Sequence, residues 1–311
     1  VTTAYFSAHD ICRGHDMGAG HPEQPGRLAA IEQGLEVVGI QDALWRCAAP
    51  EASLDAIKRV HDPFYVDELF AIAPTRGRVP LDGDTTLMAG SLPAARRSAG
   101  AAIAAVDAVM AGQAANAFCA TRPPGHHAEY AKAMGFCFFD NIAIAAAHAL
   151  AAHGLSRVAI LDFDVHHGNG TEDVLRHEPR VLFCSSYENP LFPYTDDTCV
   201  PGKLIKTPLR AGTAGRVFRD AIERDWLGAL DDHAPELILV SAGFDAHRAD
   251  PLANLNLEAE DFAWVTERIL DMAAHHCDGR VVSVLEGGYA LDALAASAAT
   301  HVQTLLTRGQ R

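Results

Sequence analysis

The amino-acid sequence predicts an α/β fold in which a mainly parallel sheet is flanked by helices. Three observations carry this expectation. Short, unbroken apolar runs recur along the chain, as strands covered on both faces require. The intervals between them are long enough for the helical crossovers that parallel neighbours need. Several runs also break off abruptly into turns of His, Asp and Gly, and open α/β sheets build their sites beyond the carboxyl ends of strands. No repeat, low-complexity segment or linker interrupts the 311 residues, so a single domain over 1–311 is expected.

In chain order, residues 2–6 read as the first strand. A Gly- and His-rich loop over 14–23 holds His15 and His21, whose expected roles are packing and hydrogen bonding. Leu28, Ile31, Leu35 and Val38 mark one face of a helix over 25–38. Ser53 and the pair Asp62-Pro63 are helix starts, the latter with favoured N-cap and N1 residues. Residues 76–86 are polar and turn-like and include Asp84. Ser91 is expected to cap an Ala-rich helix that stops near Gly112. The strand 115–120 runs into Arg122-Pro123-Pro124-Gly125-His126-His127, and Phe136 precedes a helix over 142–153.

The run Val158-Ala159-Ile160-Leu161 opens the stretch around which the chain is organised. Asp162, Asp164, His166 and His167 follow within six positions, then Gly168-Asn169-Gly170 and a helix start near Thr171. Strand alternation starts Asp162, Asp164 and His166 off in one direction. Asp and His are ligands for a divalent ion, and an acidic strand end that merely caps a helix needs one Asp, not two Asp and two His. Farther on, 180–186 reads as a strand and 187–206 as a long loop holding Leu191-Phe192-Pro193. A helix is expected from a Thr213 cap through Leu230, and strands over 236–240 and 280–285. The first of these ends at Phe244-Asp245, the second at Glu286-Gly287-Gly288-Tyr289, and a helix from about Leu291 closes the chain. His275-His276 is also a His pair, but it sits near a helix end, where positive charge is favoured, and is left out of the site.

Composition narrows the function. With 25 Lys+Arg against 40 Asp+Glu, the formal charge is −15, which argues against nucleic acid as a partner. Seven scattered cysteines without a CxxC pair suggest reduced thiols and a cytoplasmic location. No signal peptide or membrane span is apparent, so no membrane role is expected. A homo-oligomer is compatible with these features.

Read together, RPPGHHA (122–128), GFCFFDN (135–141), LDFDVHHGNGT (161–171), SAGFDAHRADP (241–251) and EGGY (286–289) resemble the signature blocks of the zinc-dependent histone deacetylase family. HPEQPGRL (21–28) and GDTTL (83–87) resemble its early segments, and Asn169 with EGGY is similar to the class II branch and its bacterial relatives. The resemblance implies an arginase/deacetylase-like fold and one Zn²⁺ held by Asp164, His166 and Asp245. It implies that Asp162 orients His126 and Asn169 orients His127. Phe136 and Phe192 would wall a narrow tunnel, with Gly135 and Gly287 beside the substrate, Asp84 at the rim and Leu252 at a gatekeeper position. A K⁺ site is implied near Asp162 and Ser185, with backbone carbonyls of Asp164, His166 and Ser186.

The implied chemistry is hydrolysis of an N-acetyl amide, most simply an acetyl-lysine side chain, to acetate and a free amine. His127 would act as general base and then acid, His126 would supply positive charge, and Tyr289 would donate to the developing oxyanion. The nearest rival is an acetylpolyamine amidohydrolase with the same zinc site. Polyamine-preferring members often carry Glu at the gatekeeper, whereas this chain has Leu252. A two-metal ureohydrolase needs more bridging carboxylates than the sequence offers. A catalytically dead acyl-lysine binder would not need every chemical position filled.

Overall fold

The computed structural model describes residues 2–309. Its strands are β1 (Thr3–Ser7), β2 (Trp45–Ala48), β3 (Arg78–Pro80), β4 (Thr86–Met88), β5 (Asn116–Ala120), β6 (Val158–Asp162), β7 (Val181–Glu188), β8 (Leu204–Leu209), β9 (Leu237–Ala242) and β10 (Val281–Leu285). β3 and β4 form a small antiparallel hairpin. The other eight make one sheet in the order β2-β1-β5-β10-β9-β6-β7-β8, with every pairing parallel.

Among the described residues, eleven α-helices connect and cover these strands: α1 (His9–Arg13), α2 (Gly26–Val37), α3 (Leu54–Lys58), α4 (Pro63–Ile72), α5 (Ser91–Met110), α6 (Asn141–Ala152), α7 (Asn169–Leu175), α8 (Gly215–Ile222), α9 (Gly228–His233), α10 (Ala259–His276) and α11 (Leu291–Arg308). The pleat sends alternate strand residues to opposite faces. Tyr5, Phe118, Ala159 and Leu161 pack toward Leu28, Phe218, Phe262 and Leu294 of α2, α8, α10 and α11. Phe6, Cys119, Val158 and Ile160 pack toward Val106 of α5 and Ile142 of α6. Both faces are dry, which is why the central strands read as continuous apolar runs. Among the described residues, no helix is long and apolar enough to cross a membrane.

Local capping chemistry explains several helix starts. Ser53 accepts from the Ala56 N–H, Asp62 accepts from the Phe64 N–H with Pro63 next to it, and Asp140 accepts from the Ala143 N–H. Two expected caps are displaced. Ser91 is the first residue of α5 rather than its N-cap, because its Oγ is engaged by the Met88 N–H and by His15 Nδ1. The 213–230 helix starts at Gly215 behind Ala214. It passes through one π-helical turn at Glu223–Leu227 and runs on as α9 to His233. Thr213 instead offers its carbonyl to the Asn256 N–H.

The loop expected over 187–206 is shorter than that. β7 continues to Glu188 and β8 begins at Leu204. Both β8 and β2 are edge strands, and Lys206, Pro208 and Arg46 break their apolar runs, as edges tolerate. His275 and His276 end α10, and His276 Nε2 lies 2.8 Å from Asp231 Oδ1.

Candidate active site

The four strands that end in polar turns are consecutive in the sheet: β5, β10, β9 and β6. Their carboxyl ends carry His126/His127, Tyr289, Asp245 and Asp164/His166 respectively, so segments more than a hundred residues apart in sequence open into one crevice.

At its floor stand Asp164, His166 and Asp245, all buried, with ligand atoms within 4.8 Å of one another. His166 Nδ1 lies 3.1 Å from Asp164 Oδ1 and 3.2 Å from Asp245 Oδ2. Burial opposes a charge on this imidazole, yet the two carboxylates outweigh it and draw His166 up to about 10. The arrangement therefore demands positive charge between its members. A proton supplies it in one form, and a divalent ion with a neutral imidazole would supply it in another. Asp245 Oδ2 is buried without a hydrogen-bond partner, while Oδ1 accepts from the Val165 N–H at 3.0 Å. Asp164 is held from outside the cluster, its Oδ2 accepting from the Gly287 N–H at 2.8 Å. Two carboxylates and one imidazole, one carboxylate oxygen of which accepts no hydrogen bond, fit a catalytic zinc with open positions.

Above this floor the His pair is oriented from behind. His126 Nδ1 is 2.9 Å from Asp162 Oδ2, and His127 Nδ1 is 2.7 Å from Asn169 Oδ1. The rings lie 4.1 Å apart, centroid to centroid. Their environments drive them in opposite directions. Burial disfavours a cation on His126, but Asp162, Asp164 and Glu286 hold its pKa well above the ordinary value. Burial lowers His127 well below it, helped by the charges of His126 and His166. One ring thus favours carrying charge and the other favours being neutral, the division of labour that acid/base work at a pair needs.

The crevice narrows into a cavity of about 230 Å³ lined by His127, His166, Gly135, Phe136, Phe192 and Tyr289, with Asp84 and Leu252 also on its wall. Phe192 meets His127 edge to face at 5.0 Å, and Phe136 meets Tyr289 at 5.8 Å. Leu191 and Tyr194 line it too and had not been singled out from sequence as wall residues. His21 has the packing role expected of it: its ring stacks edge-on to Phe136 at 4.7 Å, and Nε2 lies 3.0 Å from the Asp84 carbonyl. His15 is likewise committed, to Ser91 and to Glu23.

Gly287 lies behind the metal-ligand candidates rather than on the wall. A Cβ there would stand 1.9 Å from Asp245 Oδ2 and 2.6 Å from Asp164 Oδ2. Ser185 is the register partner of Asp162 across β6 and β7, and its Oγ lies 3.0 Å from His167 Nδ1; Ser186 follows it, buried.

Comparison with known proteins bears on this geometry. Residues 21–305 match the model of the family described as the histone deacetylase domain. The chain belongs to the histone deacetylase family. This deacetylase is 41% identical over 278 residues to the histone deacetylase-like amidohydrolase of Pseudomonas aeruginosa, covering 87% of this chain and 73% of that one. It is 37% identical to the polyamine deacetylase HDAC10 of Homo sapiens, over 91% of this chain but 44% of that longer protein. Among solved structures, the HDA15 HD domain superposes with a TM-score of 0.91 at 30% identity, covering 98% of this chain and 88% of that one. The chain is accordingly a hydrolase of acetylated amides on an α/β fold.

Several residues that shape the deacetylase site were given no role from the sequence. Asp250 accepts from the Tyr289 N–H at 2.6 Å and the Ala290 N–H at 3.2 Å through Oδ2, and from the Leu252 N–H at 3.0 Å through Oδ1. It therefore pins the backbone of Tyr289 and of Leu252 together. Arg27 lies over the Tyr289 ring at 4.9 Å and donates through Nε to the Gly288 carbonyl. Glu286 Oε2 accepts from the N–H groups of Gly125 and His126, at 2.7 and 3.2 Å. A carboxylate tying strand-end loops together has no periodic signature, so only its location in quoted motifs could have flagged Asp250 or Glu286.

Proposed function

We propose that this chain is a zinc-dependent deacetylase whose preferred substrate is an acetyl-lysine side chain. The observation that carries the reading is the Asp164–His166–Asp245 cluster, three buried ligating side chains converging at the floor of a narrow, aromatic-walled cavity. The two walls, Phe136 and Phe192, suit an uncharged aliphatic stem, and Asp84, which also lines the cavity, would accept from a substrate backbone N–H.

Zinc bound there supplies a Lewis acid that polarises the acetamide carbonyl and lowers the pKa of a water. His127, which burial keeps neutral, takes the water proton at its Nε2, the nitrogen not engaged by Asn169, and delivers it to the leaving amine. His126, charged beside Asp162, contributes electrostatic stabilisation. The Tyr289 hydroxyl donates to the oxygen on which negative charge grows. Gly135 leaves room for the His127 ring, and Gly287 for the ligand carboxylates. We also assign a K⁺ to the buried, register-paired Asp162 and Ser185, with the carbonyls of Asp164, His166 and Ser186; the adjacency of these oxygens at the ends of β6 and β7 supports it. The seven free cysteines support a reducing, cytoplasmic setting.

A second reading, an acetylpolyamine amidohydrolase, is favoured by the human relative named a polyamine deacetylase. Leu252 on the cavity wall weighs against it, since position 252 itself offers no carboxylate to attract a distal ammonium. The test is a panel of acyl-lysine peptides and acetylpolyamines assayed side by side on zinc-reconstituted enzyme. Higher kcat/KM on acetyl-lysine peptides supports the first reading, and the reverse ranking replaces it with the second. Asp245→Asn should weaken zinc binding. Full activity of a chelated sample, shown metal-free by elemental analysis, would remove zinc from the reaction.

A further inference from the structure

A second group of ligating side chains lies on the outer face of the helices that cover the β5–β6 side of the sheet. Asp107 sits one turn before the end of α5, His148 lies in the last turns of α6, and His153 is the C-cap of α6. Nε2 of His148 and Nε2 of His153 each lie 2.7 Å from the same Asp107 Oδ1. The two rings meet edge to face with centroids 5.6 Å apart, and all three ligand atoms lie within 4.8 Å of one another. Two imidazoles and a carboxylate thus converge on one point from two helices, although 41 and 46 residues separate them from Asp107.

The chemistry favours a borderline divalent cation. Imidazole with one carboxylate suits Zn²⁺ and Ni²⁺ over Mg²⁺ or Ca²⁺, which prefer all-oxygen shells. Ligands at roughly 2.0–2.2 Å from a tetrahedral ion stand about 3.3 Å apart, so entry requires the carboxylate oxygen to withdraw from each imidazole by about half an ångström. Asp107 can yield that much, because its side chain is 52% exposed, while the imidazoles are 17% and 24% exposed and stand on packed helix backbone. That same exposure gives an ion a path in and leaves its remaining positions to water. Even without an ion, the two rings overcome partial burial and hold Asp107 below its ordinary pKa. The group Asp231, His275 and His276 is a weaker assembly, for only His276 bonds its carboxylate.

We propose that Asp107, His148 and His153 form a second divalent-metal site that takes Zn²⁺ or Ni²⁺ and clamps α5 to α6. The site shares no residue with the deacetylase cavity, and α6 begins at Asn141, twelve residues away from His153, so occupancy stabilises the helix pair without taking part in hydrolysis.

The test is equilibrium dialysis of the full chain against Zn²⁺ and, separately, Ni²⁺, beside the double variant His148→Gln/His153→Gln. The wild type should bind one equivalent more than the variant, whatever the occupancy of the cavity site. Metal added beyond the first equivalent should raise the Tm of the wild type alone, and Asp107→Asn, which keeps the side-chain shape, should weaken the same equivalent at least tenfold. Deacetylase kcat at one equivalent of zinc should be the same in all three. Equal stoichiometry in wild type and double variant overturns the proposal. So does loss of the extra equivalent in His275→Gln/His276→Gln but not in His148→Gln/His153→Gln.

Discussion

Replacing Gly287 with Ala adds one methyl group at the point where the ligand carboxylates converge. The new Cβ would lie 1.9 Å from Asp245 Oδ2, whereas ordinary contact begins near 3.4 Å, so that carboxylate has to retreat by about 1.5 Å. Asp164 Oδ2, at 2.6 Å, has to give by most of another ångström. Metal–ligand distances tolerate only about ±0.2 Å, so the two displacements cannot both be absorbed with zinc in place. Changing a residue that merely supports a ligand costs roughly 10–100-fold in metal affinity. A steric displacement of two ligands should cost at least the upper figure, about 2.8 kcal/mol at 1.4 kcal/mol per tenfold. The overpacking itself should lower fold stability by about 1–3 kcal/mol. Gly287 does not occupy a backbone region closed to Ala, so the change tests space alone. Zinc affinity is read by competition with a chromophoric chelator, and kcat is measured in zinc excess on the same preparation. Gly228→Ala is the control, since nothing lies within 4 Å of its Cβ position and Ala at a helical site stabilises by roughly 0.5–1 kcal/mol. A folded Gly287→Ala enzyme with wild-type zinc affinity and turnover would refute the steric reasoning and with it the assignment of these carboxylates as ligands.

Three further outcomes are expected. Tyr289→Phe should retain its zinc and lose roughly 10²–10³ in kcat, about 2.7–4 kcal/mol, with a smaller change in substrate affinity; near-normal kcat at full zinc occupancy would leave Tyr289 a packing residue. Leu252→Glu should raise kcat/KM on acetylpolyamines relative to acetyl-lysine peptides, a carboxylate–ammonium attraction of about 1 kcal/mol or more where water is partly excluded; an unchanged ratio would show that this wall position does not set selectivity. His301 is buried between Thr266 Oγ1 and Ser283 Oγ, and burial lowers its pKa to about 3. A folded-state value below the unfolded one means that the unfolded chain binds the extra proton, so this contribution to stability is whole above about pH 6.5 and is lost as pH falls toward 3. Denaturant melts across that window should show a shallower pH slope for His301→Asn, by up to about 1.4 kcal/mol per pH unit, and an identical slope would assign the acid sensitivity to other groups.

What the sequence by itself determined is whatever depends on neighbours along the chain. Val158-Ala159-Ile160-Leu161 is apolar at every position because β6 is covered on both faces, and that requirement is visible without coordinates. Asp62-Pro63 and Ser53 start helices through bonds to N–H groups two and three residues on. Asp164 and His166 lie close enough in sequence to suggest a shared ion. The edge strands β2 and β8 escaped notice because an edge is excused from the apolar pattern on which strand reading depends.

Tertiary structure alone decided the lateral order β5-β10-β9-β6, which sets Asp245 beside Val165, 80 positions away, and Tyr289 beside the more distant Phe136. It decided that Asp250 holds Tyr289 across 39 residues, that Gly287 leaves space for two carboxylates, and that Asp107 on α5 meets two imidazoles of α6. The physical reason is one of range. A cap or an amphipathic face is selected by local hydrogen bonding and burial, which repeat with the period of the backbone and so leave a pattern. Contacts between strand ends arise from how sheet and helices pack around a common core, and the residues that meet there carry no spacing by which to find one another.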